Sequence, residues 1–429
     1  MNALEAARRG GAPGFAPDGL GPLLTRVLGS HTVSLGEPIL EADVAPAVIT
    51  QVRFENLRTI KSLTLDLEGL TVLIGENGTG KSTILEGIEL LRKAANPSFV
   101  DEFFQVHGGF PSLLRSGESE LKLGVTVRDG SNTLSWDATL IRLASGGLLI
   151  SREVMQGVED GKRRPTSGYE SRSSSANRLK LGQLGERDSA APLLDCLRRI
   201  QVYTAFETAP SWAGQELKRP SPLRETHVFQ PAERLARHGA NIANAYHALK
   251  NEFGKEHWDE TMELVRLGLG DDVSDLGVRA DPGGGNVALT MWYRGQSEAV
   301  PVFSMSDGTL AYLGFVALFR LDSRAALIGF DEPENHLHPK LLMRVLSFFE
   351  TLAKNRPVLL ATHQDRLLDG LEDPASAARL LSLNAARELE VHRPDRGALD
   401  TWLEKYRGLG DVRAAGYEAS VFKPDPKGS

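Results

Sequence analysis

The chain has 429 residues, which is enough for one large domain with insertions or for two domains. Its single cysteine, Cys196, excludes an internal disulfide, and no Cys/His spacing is typical of a zinc site. The formal net charge of -7 makes the surface as a whole repel nucleic acid, so DNA or RNA could bind only at a local basic patch.

Residues 1–46 are rich in glycine, proline and alanine, and we expect them to form a flexible extension outside the folded core. The sequence has no signal-peptide pattern and no apolar run long enough to span a membrane. We therefore expect a cytoplasmic protein without membrane partners.

Strands and one helix are predicted between residues 47 and 160. The segments AVITQVRFENL, SLTLDLEG and LTVLIG have the apolar patterns of strands, and ILEGIELLRKA has apolar residues at helical spacing. Further strands are predicted at 121–128, 132–143 and 146–155, where Asp-Gly and Gly-Gly turns separate them.

Residues 161–191 change in character, with many serines and with seven Lys or Arg against three Asp or Glu. Such a composition is typical of a solvated loop. The alternative is that the basic part, residues 162–187, contacts the phosphate groups of DNA or RNA.

The rest of the chain alternates between helical and strand patterns. Helices are predicted at 192–200 and 231–267, short strands follow, and an apolar helix spans 307–321. The buried strand ALIGF, a helix that begins near Pro339 and the buried strand PVLLAT come next. Strands that alternate with helices at both ends, around a mixed middle, predict an α/β core with a large insertion.

The strongest local pattern is Gly75-Glu-Asn-Gly-Thr-Gly-Lys-Ser82, which lies between a buried strand and an amphipathic helix. Backbone N–H groups and the helix N-terminus would bind phosphates, Lys81 would meet the β- and γ-phosphates of ATP, and Ser82 would face Mg²⁺. The residues that we assign to nucleotide binding in this loop are Gly75, Asn77, Gly78, Gly80, Lys81, Ser82 and Thr83.

Two adjacent carboxylates, Asp331 and Glu332, end the buried strand ALIGF. A strand buried on both faces ends in paired acids where these meet a cation or a reacting water. We expect Asp331 to hold Mg²⁺ and Glu332 to polarise the attacking water.

Two further segments complete the pattern. Ser306 and Asp307 are good N-cap residues for the apolar helix, and a small polar helix start of this kind also makes an anion site. His363 follows directly on the strand PVLLAT, one helix and one strand after the acidic pair, which favours a functional role.

These four segments in this order resemble the ABC-type ATPases, and more closely their RecF/OLD/SMC-like branch. MSDGTLAYLGFVALF is similar to the signature of that branch, FDEPENHLHP to its Walker B and D-loop, and ATHQ to its histidine switch. The opening segment FENLRTIKSLTLDLEGLTVLIGENGTGKST and the middle segment LARHGANIANAYHALK also resemble it.

The resemblance implies an α/β fold, in which an ABC-type ATPase head (a P-loop NTPase with a mixed sheet and flanking helices) is interrupted by a large mixed α+β insertion. The two halves of the head would be residues 47–160 and 301–418. The insertion would span 161–300, and a tail would follow at 419–429.

The resemblance also implies that the head binds ATP and Mg²⁺ and forms a homodimer or a higher even oligomer. Ser306 and Gly308 would contact the γ-phosphate bound by another subunit, His363 would sense that phosphate, and Asn335 would lie near the dimer seam. Arg58, in the Asn-Leu-Arg segment, would contact phosphate.

The sequence departs from the family in its glutamine loop, because neither Gln105 nor Gln201 has a clear context. Neither a long coiled coil nor a C-terminal Toprim nuclease pattern is evident.

Three roles are then open: an ATPase that controls a separately encoded nuclease or toxin in antiphage defence, a RecF-like DNA-repair ATPase that binds DNA directly, and a transporter subunit. The S-D-G-T signature and the insertion disfavour the transporter.

Overall fold

The computed structural model describes residues 47–99, 109–144, 148–159, 162–163, 169–172, 179–184, 189–209, 221–280, 285–321 and 324–425. The predicted extension at 1–46, Gln105 and most of the basic loop 162–187 lie outside the described residues. The described part falls within one compact unit, which begins at Pro38. None of the helices in this part is long and apolar enough to cross a membrane.

An antiparallel sheet is built from the first half of the described chain. Its strand order is β2-β1-β4-β5-β6-β7, with β8 paired to β6. The apolar residues of β1 alternate with polar ones, because only one face of the sheet is buried. The bounds are β1 Val48–Leu57, β2 Ile60–Asp66, β4 Glu120–Asp129, β5 Asn132–Arg142, β6 Leu148–Glu159, β7 Lys162–Arg163 and β8 Tyr169–Arg172.

A second, mixed sheet has the order β18-β17-β16-β3-β15-β14-β9. The five strands from β16 to β9 are parallel, and β17 and β18 are antiparallel additions at one edge. The central strands are continuous apolar runs because both faces of the sheet are covered. The bounds are β3 Leu70–Gly75, β9 Ile200–Tyr203, β14 Leu327–Asp331, β15 Val358–Thr362, β16 Ala378–Leu383, β17 Leu389–Pro394 and β18 Phe422–Pro424.

The helices cover these sheets. A small third sheet has the order β10-β12-β11, with β13 on β12, and it packs against two of the helices. Helix α1 contacts strands of both large sheets, so the main core lies along it. The helices are α1 Lys81–Ala94, α2 Ala191–Arg198, α3 Ile242–Asn251, α4 Lys255–Leu269, α5 Asp307–Leu321, α6 Pro339–Ala353, α7 Asp365–Asp369, α8 Pro374–Ala377, α9 Arg396–Leu403, α10 Leu409–Ala414 and α11 Glu418–Val421. The small strands are β10 His227–Val228, β11 Val273–Ala280, β12 Asn286–Tyr293 and β13 Val300–Pro301.

The α/β fold class is confirmed, and three details differ from the sequence expectations. The helix predicted at 231–267 is two helices, α3 and α4, and residues 231–241 are not α-helical, since His238 has a positive φ of 58° before α3 begins. Strand β9 lies within the predicted insertion, yet it pairs with β14 in the mixed sheet. Residues assigned to the tail include β18, which pairs with β17.

The topology explains where chemistry can occur. Strands β3, β15 and β14 are parallel neighbours, and their register places Ile74 beside Thr362 and Ala361 beside Asp331. The carboxyl ends of parallel strands meet at one edge of the sheet, where open α/β sheets bind ligands. The phosphate loop, the acidic pair and the histidine therefore converge at this edge.

Candidate nucleotide site at the ends of three parallel strands

The loop Gly75–Ser82 joins β3 to α1. At Gly80 the backbone φ is 111°, and a Cβ there would lie 2.9 Å from Thr59 Oγ1. Glycine suits both the positive φ and the lack of space. No side chain caps the N-terminus of α1. The first N–H groups of the helix therefore remain available to bind an anion.

Lys81 holds a positive charge inside this loop. Its side chain is buried, and Nζ donates to the carbonyl oxygens of Gly75 at 2.7 Å and Glu76 at 3.0 Å. Burial lowers the pKa of Lys81, while the carboxylates of Glu332 and Asp331 act in the opposite direction. The lysine predicted for the phosphates thus lies close to the acidic pair.

Asp331 and Ser82 form the part of the site that suits a divalent cation. Ser82 and Asp331 line the same cleft, and Asp331 Oδ1 is buried with no hydrogen-bond partner among the described residues. Burial raises the pKa of Asp331, and Ser82 and Lys81 lower it in part. The Ser82 hydroxyl and the unpaired oxygen of Asp331 fit Mg²⁺, because this ion prefers oxygen ligands and few protein contacts.

Glu332 faces His363 across the ends of β14 and β15. The backbone of Glu332 has a φ of 56°, and its N–H donates to the carbonyl oxygen of Ala361 at 2.8 Å. Glu332 Oε2 is hydrogen-bonded to His363 Nδ1. Burial, together with the hydrogen bond and charge of Glu334, raises the pKa of Glu332 to about 7, while His363 opposes this shift.

A second acid, Glu334, was not singled out from the sequence, although it lies in the segment FDEPENHLHP. It is only 4% exposed, and its Oε1 accepts hydrogen bonds from Thr362 Oγ1 at 2.6 Å and from the His363 N–H at 3.3 Å. Its Oε2 is buried without a partner in the described part of the chain. Glu334 therefore fixes the backbone that presents His363.

A cleft of about 310 Å³ opens beside Ser82 and Asp331, and Arg58 and Thr83 line it. Arg58 lies in the turn after β1 with a φ of 51° and makes an ion pair of 3.0 Å with Glu86. Arg58, which follows β1, and Asp331, which ends β14, therefore line the same cleft as Ser82.

Among the described residues that line this cleft, none is a glutamine. Gln201 lies in β9 but lines a different cleft, which is described below. Thr204, just beyond β9, and His238 line the nucleotide cleft instead, with Thr204 Oγ1 and His238 Nδ1 3.1 Å apart. Neither residue was singled out from the sequence, because their proximity depends on the position of β9 in the sheet.

The signature segment lies apart from the cleft. Ser306 caps α5, since its Oγ accepts from the Thr309 N–H at 3.2 Å, and the Ser306 side chain is exposed. A Cβ on Gly308 would lie 3.0 Å from the carbonyl oxygen of His336. Neither Ser306 nor Gly308 lines the cleft at Ser82. Asn335 is exposed next to His336.

Arg224 holds the signature segment in place. This residue is 5% exposed, and its Nη1 donates to the carbonyl oxygens of Phe303 at 3.0 Å and Met305 at 2.8 Å. Its Nε donates to the carbonyl oxygen of Thr208 at 2.6 Å, a few residues after β9. One guanidinium group thus connects the segment after β9 with the start of α5.

Two family models match parts of the chain. Residues 48–132 match the family model described as "AAA ATPase domain", and residues 208–369 match the one described as "AAA domain, putative AbiEii toxin, Type IV TA system". An OLD nuclease of Thermus scotoductus (strain ATCC 700910 / SA-01) is 24% identical over 310 residues, which cover 68% of this chain and 54% of the relative. The chain therefore spans about half the length of this curated relative.

Solved structures of SMC head domains also align with the chain. The head bound to the C-winged helix domain of ScpA is 14% identical, with a TM-score of 0.47, and covers 80% of this chain and 96% of its own. The Thermotoga maritima head is 13% identical, with a TM-score of 0.44, and covers 81% of this chain and 99% of its own.

The fold, the convergent site and the two family models define an ATPase domain of the P-loop class. More specifically, the chain is similar to the ABC-like ATPases of the SMC/RecF/OLD branch, through its sequence motifs and through the 24% identical OLD nuclease.

Proposed function

We propose that the chain is a Mg²⁺-dependent ATPase that dimerises around ATP and controls a separately encoded effector, a nuclease or a toxin, in prokaryotic antiphage defence. The observation that carries the enzymatic part is the convergence of Lys81, Ser82, Asp331, Glu332 and His363 at the adjacent ends of β3, β14 and β15.

Each of these side chains has a role that its surroundings support. Lys81 and the N-terminus of α1 bind the β- and γ-phosphates, and Ser82 and Asp331 hold Mg²⁺, which would neutralise phosphate charge. Glu332 accepts a proton from the attacking water, and His363, hydrogen-bonded to Glu332, contacts the γ-phosphate.

Dimerisation is supported by the position of the signature. The N-terminus of α5 is exposed at Ser306 and does not line its own nucleotide cleft, so it is free to meet the nucleotide of a second head. A homodimer, or a higher even oligomer, would complete the site.

The effector part of the proposal rests on the relatives. One matching family model carries a toxin description, and the matching relative is named a nuclease. We propose that the protein acts in the cytoplasm, with the head at 47–160 and 301–418 and an insertion at 161–300, within which β9 returns to the mixed sheet.

A second candidate is a RecF-like repair or recombination ATPase that binds DNA directly. The observation that favours it is the arginine-lined cleft considered in the next subsection.

The proposal is tested by capture from the native host with a Glu332→Gln variant that is loaded with ATP, using Lys81→Ala as the matched control. A nuclease or toxin that is recovered with Glu332→Gln and ATP, but not with Lys81→Ala, supports effector control. Recovery of the same proteins with both variants, or of none with either, contradicts it.

A further inference from the structure

A second cleft lies beside the nucleotide cleft, on the outer side of β9. It measures about 930 Å³ and is bordered by α1, by residues 231–241 and by the segment around the start of β14. Six ionisable residues line it, five of them arginines: Arg92, Arg199, Arg234, Arg237, Arg324 and Glu233.

The charge of this cleft is opposite to that of the molecule. The chain carries a net charge of -7, whereas the cleft has five guanidinium groups against one lining carboxylate. Two further acids, which do not line the cleft, form ion pairs with these arginines. Glu89 pairs with Arg92 and Arg237, and Asp195 pairs with Arg199 at 2.5 Å. Among the described residues that line the cleft, arginines outnumber acids by five to one, and such a lining attracts anions.

These arginines retain hydrogen-bonding capacity. A guanidinium group has five N–H donors, and a bidentate carboxylate takes two of them. Arg199 is also held by a 2.8 Å hydrogen bond from Nη1 to the carbonyl oxygen of Arg324, which orders one wall of the cleft. Arg234 is exposed and makes no ion pair with any described residue.

The lining also indicates which chemical group is recognised. Among the described residues that line the cleft none is aromatic, and the uncharged polar side chains are the amides of Gln201 and Asn241. Recognition of bases in single strands relies on aromatic stacking, whereas phosphate recognition relies on arginine. The surroundings therefore suit phosphate groups rather than bases.

We infer that the arginine-lined cleft binds a run of phosphate groups, such as the backbone of a nucleic-acid strand presents. This inference deepens the second candidate function by naming the surface that would contact nucleic acid, and it does not depend on ATP hydrolysis. A free nucleoside triphosphate offers the same chemistry, and the experiment below separates the two sources.

The two clefts share a wall. Glu89 lines the nucleotide cleft, and its carboxylate accepts hydrogen bonds from Arg92 at 2.7 and 2.8 Å and from Arg237. Burial raises the pKa of Glu89, but Arg92 and Arg237 outweigh this effect, so the net pKa lies below the ordinary value. Phosphates in the second cleft would compete with Glu89 for both arginines.

The test is fluorescence anisotropy with a labelled oligothymidine of about 16 nucleotides, without ATP, at several salt concentrations. The variant is Arg234→Glu with Arg324→Glu, and the matched control is Arg279→Glu with Arg294→Glu, which reverses two exposed charges elsewhere. We expect affinity to fall at least about tenfold, and the slope of log affinity against log salt to flatten by about 1.4, in the cleft variant alone.

A second arm titrates ATP into the Lys81→Ala protein with and without the cleft substitutions. Binding of ATP that the cleft substitutions remove, without oligothymidine binding, identifies a free nucleotide as the source of the phosphates. Equal losses in the cleft and control variants, or no binding of either ligand by the wild type, overturn the inference. Thermal unfolding of each variant confirms that a loss of binding is not a loss of fold.

Discussion

Nη2 of Arg224 donates a hydrogen bond of 2.6 Å to Oδ1 of Asp307, the first residue of α5. The pair lies more than eighty positions apart in sequence, and the arginine side chain is only 3% exposed while the aspartate side chain is 39% exposed. An acid in the first turn of a helix stabilises the helix, because its negative charge faces the positive end of the helix dipole. Arg224 adds a fixed orientation for the same turn, which contains Ser306 and Gly308.

We expect Arg224→Met to destabilise the protein by about 3 kcal/mol, because three carbonyl oxygens and one carboxylate lose their donor. If the variant remains folded, it should lose ATP-dependent association while it still binds ATP. Chemical denaturation and light scattering measure the two effects. Arg279→Met, at an exposed position, is the control and should change neither. Unchanged ATP-dependent association of a folded Arg224→Met protein would show that the signature segment does not need the hydrogen bonds of Arg224.

Replacement of Glu332 by glutamine should keep ATP binding and slow turnover by about 10²–10⁴-fold, since the amide cannot accept a proton from water. Steady-state hydrolysis and calorimetry with ATP provide the measurement. Lys81→Ala is the contrasting variant, because the loss of the buried ammonium group should abolish binding itself. Wild-type turnover by Glu332→Gln would exclude this residue as the proton acceptor.

The shared-site arrangement predicts partial complementation. Ser306→Arg places a bulky cation where the nucleotide of a second head should lie, and Lys81→Ala removes the phosphate contact. Each homodimer is then defective at both sites, whereas a mixed dimer has both lesions in one site and leaves the other intact. We expect hydrolysis to return in part when the two variants are mixed. If hydrolysis does not return although subunit exchange is proven, then either the site is not shared or the two sites do not hydrolyse ATP independently.

Glu350 predicts a pH dependence of stability. Burial raises the pKa of this carboxyl to about 7, although its Oε1 accepts a hydrogen bond from the Glu372 N–H at 2.9 Å. The folded-state pKa lies above the unfolded value, so this contribution to stability is complete below pH 4.5 and is lost as the pH rises through about 7. Glu350→Gln should flatten the decline in the free energy of unfolding across that window. Exposed Glu404→Gln is the control, and identical pH profiles for all three proteins would exclude Glu350 as the cause.

The site was largely predictable because its parts are local in sequence. The loop that ends at Ser82, the acids after ALIGF and the histidine after PVLLAT each follow a buried strand, and parallel strands align such ends. The contribution of Thr204 and His238 was not predictable, since it requires that the short strand β9 joins the sheet next to β14. Periodicity also overextended the helix at 231–267, because apolar residues before Ile242 serve the core without helical backbone.

Glu332 has a left-handed backbone conformation, which glycine and asparagine adopt at a lower cost in free energy. A glutamate held there costs the folded protein about 1 kcal/mol, because the hydrogen bond to Ala361 comes from the backbone N–H and would also form with glycine or asparagine. Selection for thermal stability alone would therefore favour Glu332→Gly or Glu332→Asn. A thermostability screen of this protein that ignores turnover should enrich those two substitutions, and the persistence of glutamate at this position in a lineage would itself report that hydrolysis is needed.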